Sequence, residues 1–454
     1  MKKFKNPIIG GALSLGVGAF FAKLIGAIYR VPLTNMLGGW GLGLYQMVFP
    51  VYSLLLDFSG AGLPSALSRL ISVSKIEDRE KRAHTYLISS IKLFLILGVL
   101  ATLFMAIFSL GISKLQGDIN ASKAYLALAP AVISVSLISC LRGYFQGLMN
   151  MNPTAVSQIV EQIVKLIAGL SFARLFLPDI PSSVAGATLG ISLSELVALI
   201  YLIFVYKKRK KTLGLNFNYE KGLFIKDAKT IIKTTVPITL VGIMIPLSQV
   251  IDSFLVVNLL SAYTSDATAL YGLLSGAVMT VINLPVSICY GFSTVAIPAV
   301  SECKSIDGAR KKGKKILALT LIFSLPCALF LLLFAPFSIS LLFGRLPAWQ
   351  KQTAINLLRL CSPCVVLLSL VQASNAVLIG SGKLYTPVIN LLMGVAVKTV
   401  LNIILLRIPE FNVYGGAVAI IACYFVVCLV NLIVIFKRKV AHENKATCRR
   451  EFAS

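Results

Sequence analysis

YKKRKKTLGLNFNYEKGLFIKDAK, residues 206–229, is the longest polar interruption in an otherwise apolar chain, and it lies near the middle of 454 residues. The sequence before it reads as a first pass through one architecture and the sequence after it as a second. Hydrophobic residues make up 57% of the chain and charged residues 13%, with a mean hydropathy of +0.86. That is too little polar surface to cover a water-soluble globule. Apolar runs long enough to cross roughly 30 Å of hydrocarbon, about 20 residues each at helical rise, recur along the whole length. Such runs are helices rather than barrel strands, because a helix satisfies its own backbone in lipid. Twelve spans are predicted, at 8–33, 44–71, 84–112, 123–148, 153–177, 183–206, 231–260, 267–299, 314–344, 352–381, 385–407 and 413–436.

The formal charge of +26 is compatible with a nucleic-acid binder, but the lysines and arginines sit in short loops between spans, where they are a topology signal. One set of loops holds Lys2, Lys3 and Lys5; Lys75, Arg79, Lys81 and Arg82; the KKRKK from 207; Lys304 and the RKKGKK from 310; and Lys437, Arg438 and Lys439. The alternate set holds NMLGGWGLG, LPDIPSS and LLSAYTSDATA, without Lys or Arg, and only scattered basic residues near Lys114, Arg345 and Arg407 lie on that side. Both termini are therefore expected in the cytoplasm, with no nucleic-acid partner. The apolar stretch after MKKFKNP is too long for a secretory leader and is kept as the first span. Of nine cysteines, Cys140, Cys289, Cys327, Cys423 and Cys428 fall in apolar spans; Cys361 and Cys364 form a C-x-x-C far from His84 and His442, so no metal or cofactor is expected. Gly380–Lys383 lacks the spacing of a nucleotide loop.

The two halves echo one another at an offset of roughly 230 residues. Residues 74–96 parallel 303–325, a basic loop feeding a helix; 60–68 parallel 290–301; and 144–167 parallel 376–401. Six spans return the chain to its starting side, so the repeats are parallel, two bundles facing each other across a central cavity. The expected division is a first lobe over 1–206, a basic cytoplasmic linker over 207–230, a second lobe over 231–436 and a basic tail over 437–454, in a monomer.

Ionisable residues at membrane depth are costly against lipid and normally face water or a partner. Lys23 and Arg30 on the first span are seven apart, on one face, a cationic stripe suited to phosphate or diphosphate; snorkelling is the plain alternative. Asp57 lies at about the depth of Lys23, as a salt-bridge partner or a coupling group. Gln158 and Gln162, and Glu161 and Lys165, are each four apart on the fifth span, so that Glu161 and Lys165 are placed to neutralise each other. Glu195 on the sixth span has no local partner and is a candidate for the cavity or for a cation. The second half adds Gln249 and Asp252, Asn283, Arg359, Gln372 and Asn375, then Asn390, Lys398 and Asn402, a polar lining in which Lys398 is the repeat counterpart of Lys165. Prolines and glycines in many spans suit bent helices.

LRGYFQGLMNMNPTAVSQIVEQIVKL (141–166), AKLIGAIYRVPLTNMLG (22–38) and LPSALSRLIS (63–72) resemble the polysaccharide transporter family in its stage V sporulation protein B branch. That family belongs with the multidrug/oligosaccharidyl-lipid/polysaccharide (MOP) flippases and is related to the lipid II flippases. The resemblance covers essentially all twelve spans. It implies an all-α integral membrane protein with two six-helix lobes, like the multidrug and toxin extrusion (MATE) transporters. It also implies export of a polyprenyl-diphosphate-linked saccharide, a peptidoglycan precursor, in cell-wall or spore-cortex synthesis. Membrane lipids are the surroundings, and a coupling cation or the membrane potential is the energy source. Lys23 matches an arginine position of the lipid II flippases by its spacing to Gly26, whereas the next such position holds Tyr29 and the charge appears at Arg30. The run Ser248–Asp252 is similar to a seventh-span run of those relatives. An organic-cation antiporter calls for an acidic rather than a basic first lobe, and a non-transporting envelope scaffold has no use for charges at mid-depth; these are the two alternatives.

Overall fold

The structure, a computed structural model, describes residues 7–73, 79–212, 224–301, 306–383 and 385–436. Among the described residues it is helical, without strands. The first half contains α1 (Pro7–Leu56), a π-turn (Asp57–Ala61), α2 (Leu63–Ser72), α3 (Arg79–Ile107), α4 (Ser109–Leu115), α5 (Ser122–Gly147), α6 (Asn152–Leu175) and α7 (Ile180–Thr212). The second contains α8 (Phe224–Leu260), α9 (Ala267–Tyr271), a π-segment (Gly272–Val278), α10 (Met279–Ser301), α11 (Ile306–Leu333), α12 (Ala335–Leu342), α13 (Ala348–Cys361), α14 (Pro363–Gly380), α15 (Thr386–Leu405) and α16 (Asn412–Phe436).

α1 is two helices joined at Gly38, whose φ of 65° and ψ of −173° lie outside helical space and in a region that suits glycine. Eleven described stretches are long and apolar enough to cross a membrane, and the first, Ile28–Ser72, runs through that break for 45 residues. One crossing takes about 20, so two passes are fused there, in keeping with the twelve expected. The protein is a multi-pass membrane protein. Where predicted spans break into two helices, proline marks two cases: α12 and α14 open with Pro336 and Pro363, whose missing N–H costs nothing in a first turn, whereas α5 and α11 run on through Pro130 and Pro326.

The expected linker over 207–230 is shorter than its composition suggests. α7 carries the KKRKK as helix to Thr212, and α8 begins at Phe224. Lysine and arginine are good helix formers, and at a helix C-terminus they face the negative end of the dipole. Residues 213–223, the N-terminal lysines and the 437–454 tail lie outside the described residues.

Each half packs as its own bundle: α3, α5, α6 and α7 in the first, α10, α11, α14, α15 and α16 in the second. Repeat-related α3 and α11 both leave large apolar side chains exposed, Leu95–Leu103 on one and Leu319–Phe330 on the other, as lipid-facing helices do. The lobes meet through the second arm of α1 against α8, α9 and the π-segment, and through the π-turn, α2 and α3 against α8. Hydrogen bonds between them gather at the end remote from the basic loops. Arg30 Nη1 donates to Thr280 Oγ1 at 2.9 Å, Gln46 Nε2 to the Ser275 carbonyl at 2.7 Å, Gly39 N–H to Gln350 Oε1 at 2.9 Å, and Asn35 Nδ2 to the Leu342 carbonyl at 2.7 Å. The turn Leu115–Asp118 completes the belt: Gln116 Nε2 donates to Ser253 Oγ at 2.8 Å, and Asp118 Oδ2 accepts from both Trp40 Nε1 and Thr268 Oγ1. Gly43 and Gly272 touch backbone to backbone here, and a Cβ on Gly43 would fall on the Thr268 carbonyl.

Candidate functional site

Gln158, Glu161, Gln162 and Lys165 share one face of α6, as their spacing requires, and that face meets α1: a Cβ on Gly26 would lie 3.4 Å from Gln162 Oε1. The neutralisation expected between Glu161 and Lys165 does not occur. Glu161 Oε2 instead pairs with Arg142 Nη2 of α5 at 2.9 Å, both side chains largely buried, and Glu161 Oε1 accepts from Gln162 Nε2 at 2.9 Å. A charge-assisted contact held rigidly across a helix hairpin outcompetes an i,i+4 pair, worth only a few tenths of a kcal/mol.

Lys165 is left to the aromatic side chains. Its Nζ lies 5.3 Å from the Tyr29 ring centroid and 5.5 Å from that of Phe49, within cation–π range. Tyr45, Phe49 and Tyr52 form a stripe along the second arm of α1, with Tyr29 against it from the first arm. Arg30, next to Tyr29, is within electrostatic reach of Lys165 and has Thr280 of the other lobe as its hydrogen-bond partner. Among the described residues, neither Arg30 nor Lys165 forms an ion pair. Glu195 of α7, 8% exposed, faces the same cluster, within reach of Glu161, Arg142 and Lys165. Tyr52 Oη and Gln158 Oε1 are buried without a partner among the described residues, and Tyr29 Oη faces Tyr45. The side chain of Lys23 lies outside the described residues.

Asp57 opens the π-turn and is half-buried. It faces α8, where a Cβ on Gly242 would lie 3.7 Å from its carboxylate.

The second lobe treats its lysine differently. Lys398 Nζ of α15 lies 2.6 Å from Asp252 Oδ2 and 2.6 Å from Ser248 Oγ of α8, while Asn402 Nδ2 donates to Asp252 Oδ1 at 3.2 Å. The repeat therefore places two lysines on corresponding helices but pairs only one. Asn390, Asn375 and Ser374 join Asn431 in a separate buried network. Gln249, Asn283 and Arg359 are exposed and belong to neither cluster.

Sequence reading missed Arg142, the aromatic stripe, Thr280, Ser248 as a partner, and Asn431. One signal for Arg142 was present: an antiparallel hairpin about the turn at 148–151 sets it opposite Ser157, which accepts from Arg142 Nε at 3.1 Å, and Glu161 lies one helical turn beyond Ser157 on the same face.

Stage V sporulation protein B of Bacillus subtilis (strain 168) is 28% identical to the chain over 445 residues, covering 95% of this chain and 84% of that protein. The lipid II flippase MurJ of the same organism is 26% identical over 476 residues, covering 98% and 85%. A solved structure of the lipid II flippase MurJ in an inward closed conformation superposes with a TM-score of 0.74 at 16% identity, covering 94% of this chain and 88% of that one. The MatE family profile matches residues 237–404, and that of the polysaccharide biosynthesis protein family matches residues 8–304. With well over half its length so matched, and an all-helical fold shared with MOP-superfamily transporters, the chain belongs to the polysaccharide biosynthesis protein family.

Proposed function

We propose that the protein is a flippase that carries a polyprenyl-diphosphate-linked saccharide, a lipid II-like peptidoglycan precursor, from the cytoplasmic to the outer leaflet. The observation that carries this reading is the pair of cations, Arg30 and Lys165, that find no carboxylate although two carboxylates, Glu161 and Glu195, lie in the same cluster. Buried charge without a partner is costly, and an anionic ligand offsets that cost. Arg30 grips the diphosphate through its planar fork and Lys165 acts as a point charge; Lys23, seven residues before Arg30, is proposed with them from its sequence spacing alone. Gln158, Gln162 and the Tyr52 hydroxyl meet the hydroxyls of the saccharide. Glu161 fixes Arg142, and Glu195 and Asp57 serve coupling or positioning.

The basic loops support an orientation with their end of the bundle, and both termini, in the cytoplasm. With the hydrogen bonds between the lobes gathered at the opposite end, the head group enters from the cytoplasmic side, past α2 and α8, while the prenyl tail stays in lipid. The lobes then rock about Gly62 and Gly242, where the π-turn region meets α8. Each elementary charge moved across the membrane is worth about 2.3 kcal/mol per 100 mV, enough for the potential to drive a charged head group.

The MatE match over 237–404 favours a second reading, an organic-cation antiporter. Proteoliposomes decide between them. Movement of a fluorescent polyprenyl-diphosphate disaccharide pentapeptide, unaffected by excess cationic dye, supports the flippase. Dye transport without lipid transport rejects it.

A further inference from the structure

A carboxylate buried among transmembrane helices needs positive charge nearby. In the second lobe that need is met entirely from within. Asp252 receives Lys398 Nζ at 2.6 Å and Asn402 Nδ2 at 3.2 Å, and the ammonium also contacts Ser248 Oγ at 2.6 Å. Lys398 is 7% exposed and Asn402 1%. One more oxygen completes the group: Asn402 Oδ1 is buried without a hydrogen-bond partner, beside the carboxylate its own amide nitrogen touches. A carboxylate and a hydroxyl on the ammonium, with an unpartnered amide oxygen on the next side chain, are hard oxygen donors of the kind a monovalent cation takes.

We infer that Lys398 is a tethered counter-cation: its ammonium fills an oxygen-lined site on α8 and α15 that would otherwise take an alkali ion from solution. Two consequences follow. The wild-type site binds neither Na⁺ nor K⁺, because the resident charge never leaves by diffusion. The Lys398–Asp252 pair is neutral as a unit, so it carries no net charge when the lobe moves. The second consequence rests on the transport reading, and there the charge moved per cycle is the substrate's. The first is independent of it.

Removing the tether exposes the site. In Lys398→Met, Asp252, Ser248 and Asn402 Oδ1 remain around a space that has lost its cation, and an alkali ion from solution restores the charge balance. Thermal unfolding of the purified full-length protein in NaCl, KCl and choline chloride at matched ionic strength reads this directly. The wild type is expected to unfold at one temperature in all three salts. Lys398→Met is expected to unfold lower in choline and to recover, saturably, with Na⁺ or K⁺, and adding Asp252→Asn is expected to abolish the recovery. Saturable stabilisation of the wild type by either ion overturns the inference, as does a folded Lys398→Met indifferent to both. Lys398→Gln, which keeps a donor for Asp252, is the second variant if Lys398→Met does not fold, and the wild-type comparison decides if neither does. Because unfolding does not depend on flipping, failure here leaves the flippase reading standing, and failed lipid transport leaves this result standing.

Discussion

Arg142 and Glu161 hold each other 2.9 Å apart across the α5–α6 hairpin, and the consequence is that Lys165 remains unpaired. Removing the arginine leaves a buried carboxylate alone, so Arg142→Met is expected to destabilise the protein by about 3 kcal/mol. Arg142→Met with Glu161→Gln is expected to recover most of that in thermal unfolding. If the single variant is as stable as the wild type, Glu161 has another partner and Lys165 is the natural candidate. The charged residues themselves were legible in the sequence, because an ionisable group at membrane depth stands out against an apolar background. Their partners were legible only where spacing fixed them. The face carrying Gln158, Gln162 and Lys165 follows from helical periodicity, and the turn sets Arg142 opposite Ser157, one helical turn short of Glu161. Lys398 and Asp252 are 146 residues apart, and no local rule connects them. The aromatic stripe was hidden for the opposite reason: in a chain with 25 phenylalanines and 15 tyrosines, four more rings on apolar helices carry no signal until a cation is seen against them.

Helices followed from the length of the apolar runs, and most predicted ends lie within several residues of the structure. Breaks before Pro336 and Pro363 are marked by proline, whereas the π-turn at Asp57–Ala61 and the π-segment at Gly272–Val278 have no local sequence signature. The belt joining the lobes was invisible, since apart from Arg30 and Asp118 it uses Gln, Asn, Ser, Thr and backbone groups, and none of its contacts is an ion pair. Its energetics can be tested element by element. Gln116 is fully buried and joins the Met47 carbonyl, Tyr125 Oη and Ser253 Oγ. Gln116→Leu strands those groups and is expected to cost about 1–3 kcal/mol for each one left unsatisfied, loosening the closed end. A wedge does the same by sterics. Gly43→Val cannot coexist with the Thr268 carbonyl at its present distance, so the lobes must part there. Modification of Ala277→Cys, buried beside this contact, by a membrane-impermeant maleimide is expected to speed up in the Gly43→Val background. An unchanged rate would mean that the belt does not hold this end shut.

At the scale of the whole molecule, the two halves share a fold but not an electrostatic character. The second lobe closes its own ion pair at Lys398 and Asp252, while the first keeps Arg30 and Lys165 without carboxylate partners beside the lobe interface. A molecule built this way recruits negative charge to one lobe only. With an anion bound there, both lobes are balanced, and the hydrogen bond from Arg30 to Thr280 ties that binding to the contact between lobes. Repeat symmetry was readable from the sequence, but the asymmetry rests on which side chains meet, and that required the fold. The most direct test is the rate at which liposome-reconstituted protein flips a fluorescent polyprenyl-diphosphate-linked saccharide, wild type beside Arg30→Gln with Lys165→Gln. Each lost charge-assisted contact is worth about 1.5–3 kcal/mol, so the double variant is expected to flip at least tenfold more slowly while unfolding at or above the wild-type temperature. A folded double variant that flips at the wild-type rate would contradict the assignment of these two cations to the substrate's diphosphate.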